Sequence, residues 1–500
     1  IDHCGRLPLL VKQGFSGPIY CTDATADLLP VMLEDSAHIQ EKEAEWKIKR
    51  NKRAGKPGVE PLYTMDDAIR ASELVHPILY DQLLELNDEM RIVFNDAGHI
   101  LGSAITEIWV KENGKESKIV FTGDLGMMHR PILRDPTIIK KADCVIMETT
   151  YGNRNHTDNA MDIRKLIDII LKTTRRGGTV VIPSFAVGRT QELIYQLNEY
   201  YEGKNPYSEE LGKIPVYIDS PMAVTATEVF RKNAQVFDEE TKEHILRGDD
   251  PLDFKNLKFT RTVAESQQLN LDRRPKVIIS ASGMCEAGRI RHHLKHNLWD
   301  PKSSVVFVGY QAVGSLGRAI VEGAKEVTLF GEEIKVNAEI YNLEGFSAHA
   351  DQNGLFQWLA GFQIPPKQIF LVHGEPESKE DFAKLVESKL GYHPIAVNGN
   401  SEYEINMENA KIVNWDEARE QAAEDEDVQH VRTQLADIHR KMEQIMYNTS
   451  LAVDPKISEE KLVEINNIIQ ELNKSTMQLG QALVAGEGDE KFEPEAAEKA

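Results

Sequence analysis

Short β-branched runs alternate with stretches of helical apolar spacing along most of the chain. Helical spacing is clearest over residues 162–173 and 190–200. The predicted strands are 18–21, 91–95, 105–110, 118–121, 144–147, 179–183, 215–219, 276–280, 304–308, 336–342 and 368–372. This alternation of strands and helices is typical of layered α/β proteins.

The pattern changes at about residue 406. Apolar residues recur at alternating three- and four-residue spacing over 428–445, and the spacing resumes over 462–479 after Asp454 and Pro455, which suit a helix start. We expect two heptad-patterned helices that form a hairpin or a homodimer contact. The last stretch, 486–500, is acidic and we expect it to be disordered.

Length and composition limit the class of protein. A chain of 500 residues should hold more than one domain, and 41% hydrophobic with 28% charged residues is ordinary for a globular protein. No apolar run approaches the roughly 18 residues that span a bilayer, which argues against a membrane protein. The four cysteines lack CxxC spacing, so we expect neither a disulfide framework nor a cysteine-ligated zinc, and a cytoplasmic location.

Charge does not decide between partners. The net charge is −22, but residues 401–500 hold 23 acidic and 10 basic residues and so account for more than half of it. Residues 47–56 (KIKRNKRAGK) place six basic residues directly after Trp46. That run is interpreted either as a phosphate-contacting loop or as a solvated insertion between helices.

Four acidic or imidazole residues each follow a predicted strand: His99, Asp124, Glu148 and His373. Loops at the carboxyl ends of strands are where α/β sheets assemble their sites, although any one such residue could be a turn or cap residue. Imidazole and carboxylate ligands without thiolate suit zinc with open coordination positions. The set therefore predicts a hydrolytic metal centre.

These residues lie in motifs that resemble a known family. Asp2 and His3 at the start of the chain, His99 in DAGHILGSA, Asp124 in FTGDLG and His373 in LVHGE resemble the metal motifs of metallo-β-lactamase-fold hydrolases. The family's first motif is His-x-His-x-Asp-His, and this sequence enters it at the fourth position. We expect the two leading histidines and the opening strands to precede residue 1.

Two further motifs, Glu148 in METTYG and His349 in FSAHAD, resemble those of the β-CASP nuclease branch. The resemblance covers residues 1 to about 400. It implies an α/β fold: an αββα metallo-β-lactamase sandwich with an inserted α/β β-CASP cap domain and a C-terminal helical tail. The expected boundaries are 1–155 and 336–405 for the sandwich, 156–335 for the cap and 406–500 for the acidic extension.

The resemblance also implies roles. Asp124 would bridge two Zn²⁺ ions, and such a pair can activate water and hold both the attacking and leaving oxygens. The expected metal ligands are Asp2, His3, His99, Asp124 and His373, with the two leading histidines. The expected catalytic residues are Asp2, Glu148 and His349. The imidazole of His349 would protonate the leaving oxygen and the carboxylate of Glu148 would orient that ring; the alternative for His349 is an ordinary buried histidine.

Glycine-bearing turns of the cap are candidates for contacting the RNA backbone, because a strand-to-helix turn presents free N–H groups to phosphate. The candidates are Arg189, Ser282, Gly283, Arg289 and Arg318. The alternative is a set of plain turns whose arginines pair with nearby acids. His292 and His293 could touch RNA or cap a helix.

The predicted function is zinc-dependent hydrolysis of RNA phosphodiester bonds, as an endonuclease, a 5′→3′ exonuclease or both. One alternative is a non-catalytic scaffold subunit, against which the intact motifs argue. Another is a small-molecule hydrolase of the same fold, which the long insertion between Glu148 and His349 makes less fitting. DNA in place of RNA is left open.

Overall fold

The structure is a computed structural model that describes residues 3–398 and 405, except 54, 56, 158 and 204. Asp2, the predicted helices 428–445 and 462–479, and the predicted dimer contact lie outside the described residues. In the described part of the chain, no helix is long and apolar enough to cross a membrane.

The described residues form thirteen α-helices and seventeen strands. The helices are α1 (Leu7–Lys12), α2 (Asp23–Arg53), α3 (Met65–Glu73), α4 (Asn159–Arg175), α5 (Arg189–Glu202), α6 (Ser208–Leu211), α7 (Pro221–Lys232), α8 (Glu239–Leu246), α9 (Val263–Leu271), α10 (Ile290–Asn297), α11 (Leu316–Val321), α12 (Gln352–Ala360) and α13 (Pro376–Leu390). The strands are β1 (Ile19–Thr22), β2 (Val75–Ile78), β3 (Leu83–Asn87), β4 (Met90–Asp96), β5 (Ala104–Glu112), β6 (Lys115–Phe121), β7 (Cys144–Glu148), β8 (Thr179–Pro183), β9 (Val216–Ile218), β10 (Leu257–Phe259), β11 (Lys276–Ser280), β12 (Ser304–Phe307), β13 (Glu326–Leu329), β14 (Glu332–Lys335), β15 (Glu339–Asn342), β16 (Gln368–Val372) and β17 (Ile395–Ala396).

Two sheets and two helical layers form the sandwich. A seven-stranded sheet has the order β17-β16-β7-β6-β5-β4-β3, and its core side packs against α12 and α13 through residues such as Trp358 and Phe382. The other face, through Ile92 and Phe94, packs against the parallel pair β1-β2. Helices α1, α2 and α3 cover that pair with Leu29 and neighbouring apolar residues. The predicted αββα arrangement is confirmed.

The cap is built on a six-stranded parallel sheet in the order β10-β9-β11-β8-β12-β15. Its central strands are buried along their length; all five residues of β11 and all four of β12 are inaccessible. Helices on both faces make continuous apolar strands possible, as in other parallel sheets. This is the inserted α/β domain that the sequence predicts.

Strand β15 follows the predicted boundary at residue 335/336. It pairs with β12 of the cap, Ser304 opposite Glu339 through Phe307 opposite Asn342. This strand therefore joins the cap sheet before the segment that carries His349, and the domain boundaries stay a prediction. Sequence placed this strand with the sandwich because strand propensity does not reveal which sheet a strand joins.

The basic run 47–56 also differs from the expected loop. Its residues up to Arg53 belong to α2, a helix of 31 residues. Lys, Arg and Asn tolerate helical backbone, and the breaker Pro57-Gly58 comes only after the run. Residues 47–53 of the run are therefore helical.

Candidate active site

Sheet topology brings three candidate residues to one edge. Strands β6, β7 and β16 are adjacent and parallel, so their carboxyl ends meet at the same edge. Asp124, Glu148 and His373 follow or end those strands. Strand β4 runs in the same direction as β6, because both are antiparallel to β5 between them, and the turn after β4 delivers His99 to the same edge.

Close packing of loops completes the edge. Residues 125–127 run antiparallel to 348–350, with Ala350 N–H donating to Leu125 O at 2.7 Å and Met127 N–H to Ala348 O at 3.2 Å. Gly126 makes this possible, since a Cβ there would lie 1.9 Å from the carbonyl oxygen of Gly98. The loops before His99, after Asp124 and around His349 are thereby held in one layer.

Three imidazoles converge on the buried carboxylate of Asp124. His3 Nε2 lies 3.1 Å from Asp124 Oδ2, His99 Nε2 lies 3.7 Å from the same oxygen, and His373 Nε2 lies 3.6 Å from Oδ1. The imidazoles of His3 and His99 face Oδ2, and the imidazole of His373 faces Oδ1. Asp124 therefore has the position expected of a bridging ligand.

The donor set fits a metal centre. Candidate ligand atoms of His3, Asp124 and His373 lie within 4.8 Å of one another, and so do those of His99, Asp124 and His349. Nitrogen and carboxylate oxygen donors at this spacing match the ligand preference of zinc. The structure thus brings together every predicted metal ligand that it describes, and adds the ring of His349 to their neighbourhood.

Glu148 and His349 form a hydrogen-bonded dyad beside this cluster. His349 Nδ1 lies 3.0 Å from Glu148 Oε1, and the rings of His349 and His99 are 4.3 Å apart. Glu148 is almost completely buried and also accepts from the backbone N–H of Leu125 at 2.7 Å and of Thr150 at 3.1 Å. With Nδ1–H donated to Glu148, the Nε2 atom of His349 is the one available for chemistry.

Sequence reasoning missed two residues that hold the His349 segment. The guanidinium of Arg130 donates to the carbonyl of Ser347 and pairs with Glu192 of the cap at 3.1 Å. His156 Nε2 donates to the carbonyl of His349 at 3.0 Å, and burial lowers the pKa of His156 to about 4, so its ring is neutral near pH 7. Nothing in the local sequence distinguishes these residues, because their partners in the His349 segment lie 193 or more positions away along the chain.

Three arginines proposed for RNA contact are engaged within the protein. Arg189 is buried and pairs with Glu192, and burial lowers the pKa of its guanidinium to about 10. Arg289 pairs with the buried Asp219 at 2.6 Å. Arg318 pairs on the surface with Glu322 at 2.6 Å. All three cations thus pair with acids nearby in space, and their role in RNA binding stays a prediction.

Ser282 and Gly283 occupy a different position. They follow β11 at the carboxyl edge of the cap sheet, and the Gly283 backbone lies against Phe185, whose side chain is 41% exposed. The buried hydroxyl of Ser282 has no hydrogen-bond partner among the described residues. Their role in RNA binding stays a prediction.

Comparison with known proteins agrees with this geometry. Residues 190–320 match the Beta-Casp domain and residues 333–397 match the Zn-dependent metallo-hydrolase RNA specificity domain. The chain is 36% identical to the ribonuclease TTHA0252 of Thermus thermophilus over 77% of this chain and 82% of that protein. The chain belongs to the β-CASP family of metallo-β-lactamase-fold RNA nucleases. The resemblance seen in its motifs is therefore confirmed.

Other members of the β-CASP family are longer than this chain. The chain is 33% identical to the transcription termination factor FttA of Pyrococcus horikoshii and 32% identical to that of Methanocaldococcus jannaschii. It spans 59% of the length of each. As a β-CASP protein, the chain is a metal-dependent hydrolase that acts on RNA. Its match to the Beta-Casp domain lies within the cap.

Proposed function

We propose that the chain is a zinc-dependent ribonuclease that hydrolyses RNA phosphodiester bonds, as an endonuclease, a 5′→3′ exonuclease or both, with two Zn²⁺ per complete site. The observation that carries the proposal is the Glu148–His349 dyad placed beside three imidazoles that converge on Asp124. The ribonuclease name of the Thermus thermophilus relative supports RNA as the substrate.

The dyad supplies acid catalysis. A protonated His349 would donate its Nε2 proton to the leaving oxygen of the cleaved phosphodiester, while Nδ1–H stays on Glu148 at 3.0 Å. The backbone N–H of Leu125 donates to Glu148 Oε1 and that of Thr150 donates to Oε2, so the carboxylate is fixed. Rotation of the His349 ring would break its hydrogen bond to this carboxylate. Orientation of the acid is thus set by the fold before RNA binds.

The metal ligands in this proposal are His3, His99, Asp124 and His373, completed by Asp2 and the two leading histidines of the motif. When bound, the ions would activate water and neutralise charge on the attacked phosphate. Asp124 would be the ligand shared by both ions. Asp2 would be a ligand that also orients the attacking water.

Two further parts of the proposal concern setting and assembly. We infer a cytosolic location, because Cys4, Cys21, Cys144 and Cys285 are free thiols and a reducing compartment keeps thiols in that form. We also infer a homodimer through 428–445 and 462–479. Light scattering before and after truncation at about residue 406 tests it, and an unchanged mass would contradict it.

The alternatives are weaker for specific reasons. A scaffold subunit has no need of an oriented acid beside a cluster of metal-type donors. A small-molecule hydrolase has no need of the long cap domain inserted between Glu148 and His349. DNA is chemically close to RNA, and the substrate comparison below separates the two.

The experiment uses full-length protein with 5′-labelled and 3′-labelled RNA, matched DNA, and a β-lactam or thioester substrate. We expect RNA products whose ladders identify endonucleolytic or 5′→3′ cleavage, and loss of products when a chelator removes the metal. Zinc analysis should give two ions per chain. Cleavage that persists in excess chelator, or turnover of the small substrates alone, would refute the proposal.

A further inference from the structure

Helix α2 extends past the body of the protein at its C-terminal end. Its last buried residue is Ala44, and eight of the nine residues from Glu45 to Arg53 are exposed. Asn51 is half-buried and donates to the carbonyl of Pro57 at 2.9 Å. At 1.5 Å per residue, this stretch projects about 13 Å.

One face of the projecting stretch combines an aromatic ring with cations. Trp46, Lys49, Arg50 and Arg53 stand at i, i+3, i+4 and i+7, so their side chains share a face. At 100° per residue this face lies opposite Ala44, which points at the protein body. Trp46 is 59% exposed, and the guanidinium of Arg50 lies 5.4 Å from its ring centroid. We name these four residues the Trp46 face.

The charge of the Trp46 face is not balanced locally. Lys47, on the flank of the helix, pairs with Glu43 at 3.2 Å. Among the described residues no carboxylate pairs with Lys49, Arg50 or Arg53. A chain with a net charge of −22 thus presents three adjacent cations beside an exposed indole. A solvated helix end explains the cations but not the indole among them.

We propose that the Trp46 face binds single-stranded RNA outside the catalytic site, with its cations on phosphates and its indole stacked on a base. Phosphate contacts and aromatic stacking are the two interactions by which proteins hold single strands without reading sequence. This inference rests on the proposed ribonuclease function and adds an anchoring surface to it.

Helix α2 connects this surface to the active site. Its first turn contacts the His99 loop, where Thr25 Oγ1 donates to Gly102 O at 2.8 Å. Asp27 accepts from Lys232 and Asn233 of the cap at 2.7 and 2.8 Å. From the first turn to the Trp46 face the helix axis covers about 35 Å. A base-stacked RNA strand, at the ~3.4 Å per nucleotide of a helical strand, covers this distance with about ten nucleotides.

The length requirement provides the test. Full-length wild type and a Lys49→Gln/Arg50→Gln/Arg53→Gln variant are titrated with labelled RNAs of about 5 and about 40 nucleotides, and cleavage of both RNAs is measured. We expect the variant to bind the long RNA at least tenfold more weakly. The slope of log K against log salt should fall by about 2, at ~0.7 per lost phosphate contact. Cleavage of the short RNA, which is too short to contact both surfaces at once, should not change.

A matched control removes the same charge elsewhere. Lys335→Gln/Lys384→Gln/Lys389→Gln changes three exposed lysines on other elements and should leave the affinity and the salt slope as in wild type. Trp46→Ala should weaken binding of the long RNA about tenfold and leave binding of inorganic polyphosphate, which has no bases, unchanged.

The remaining outcomes either refute the Trp46 face as an RNA-binding surface or distinguish that inference from the proposed ribonuclease function. An unchanged affinity and slope in the triple variant, or an equal loss in the control, refutes an RNA-binding Trp46 face. Equal binding of a polyglutamate peptide through the same residues would assign the face to an acidic protein instead. A wild type that binds the long RNA through this face but cuts neither RNA would refute the ribonuclease proposal alone.

Discussion

Two carboxylates, Asp124 in the sandwich and Asp219 in the cap, occupy corresponding places and have opposite surroundings. Each follows a strand of its own sheet, β6 or β9, and each is buried among basic or polar side chains. The nitrogen atoms around Asp124 are imidazoles at 3.1 to 3.7 Å. The spacing leaves room between carboxylate and imidazole for a metal ion.

Hydrogen bonds from protein side chains use all the acceptor positions of the Asp219 carboxylate. Thr260 Oγ1 and Arg289 Nη1 donate to Oδ1 at 2.5 and 2.6 Å, and Ser266 Oγ and His293 Nε2 approach Oδ2 at 2.5 and 2.6 Å. Burial alone would raise the pKa of Asp219, but the hydrogen bonds from His293, Ser266 and Thr260 bring that pKa well below its usual range. Every lone pair faces a protein donor, so this centre stabilises the cap.

The difference teaches how to separate a structural carboxylate from a functional one. Both residues look alike in sequence, as acids in turns after strands. The structural carboxylate, Asp219, has hydrogen-bond donors of several types at 2.5 to 2.6 Å. The functional carboxylate, Asp124, faces imidazoles at the longer distances of 3.1 to 3.7 Å. The comparison predicts that substitutions at the two centres affect different properties.

Asp124→Ala should produce the largest loss of activity. Removing the shared ligand should cost at least one metal ion and lower RNA cleavage by about 10⁴-fold or more, the scale on which single members of a catalytic unit fail. The unfolding midpoint of the metal-free protein should change little, because the role of Asp124 in this proposal is to hold metal. Zinc analysis and denaturation measure this, with the exposed Asp168→Ala as control. A collapse of metal-free stability would make Asp124 structural.

His349→Ala should lower cleavage by about 10²–10⁴-fold at unchanged zinc content, the usual value of positioned proton transfer. A substrate whose leaving oxygen is replaced by sulfur needs little protonation, so the defect should shrink on that substrate. The Asp124→Ala defect should persist on it. Equal His349→Ala defects on oxygen and sulfur leaving groups would contradict the acid role and favour His349 as a metal ligand.

Asp219→Asn should destabilise the protein by about 3 kcal/mol, because it leaves the part-buried Arg289 and the buried His293 without their carboxylate partner. The control, Asp272→Asn, breaks the surface pair with Arg274 and should cost less than ~1 kcal/mol. The native pKa of Asp219 is lowered, so its stabilisation is full above about pH 4 and is lost as the pH falls further. Urea denaturation at several pH values should show the gap between wild type and variant narrowing in acid. A gap that widens there would contradict the assignment.

Glu148→Gln should have the smallest effect, about tenfold on cleavage, because the amide keeps the position of the partner but removes its charge. The defect should also shrink on the sulfur substrate, since it acts through His349. Zinc content should stay at the wild-type value. Loss of zinc would show instead that Glu148 supports the metal ligands.

Sequence alone located the central strands of both large sheets and the chemistry-bearing positions. The apolar periodicity of β7, β11 and β16 reports burial of each strand, and a strand end fixes where His99, Asp124, Glu148 and His373 stand. The residue types at those positions predict the kind of ligand. These properties are local along the chain, so the apolar run of a strand and the residue at its end are enough to locate each position.

Tertiary structure decided which of these positions meet and which polar groups are already satisfied. Packing pairs Arg189 with Glu192 and Arg289 with Asp219, holds the His349 segment with Arg130 and His156, and joins β15 to the cap. Many of these contacts join residues 70 to more than 200 positions apart. The sequence around a residue does not identify such a partner, because the packing of whole layers sets the distance between the two residues.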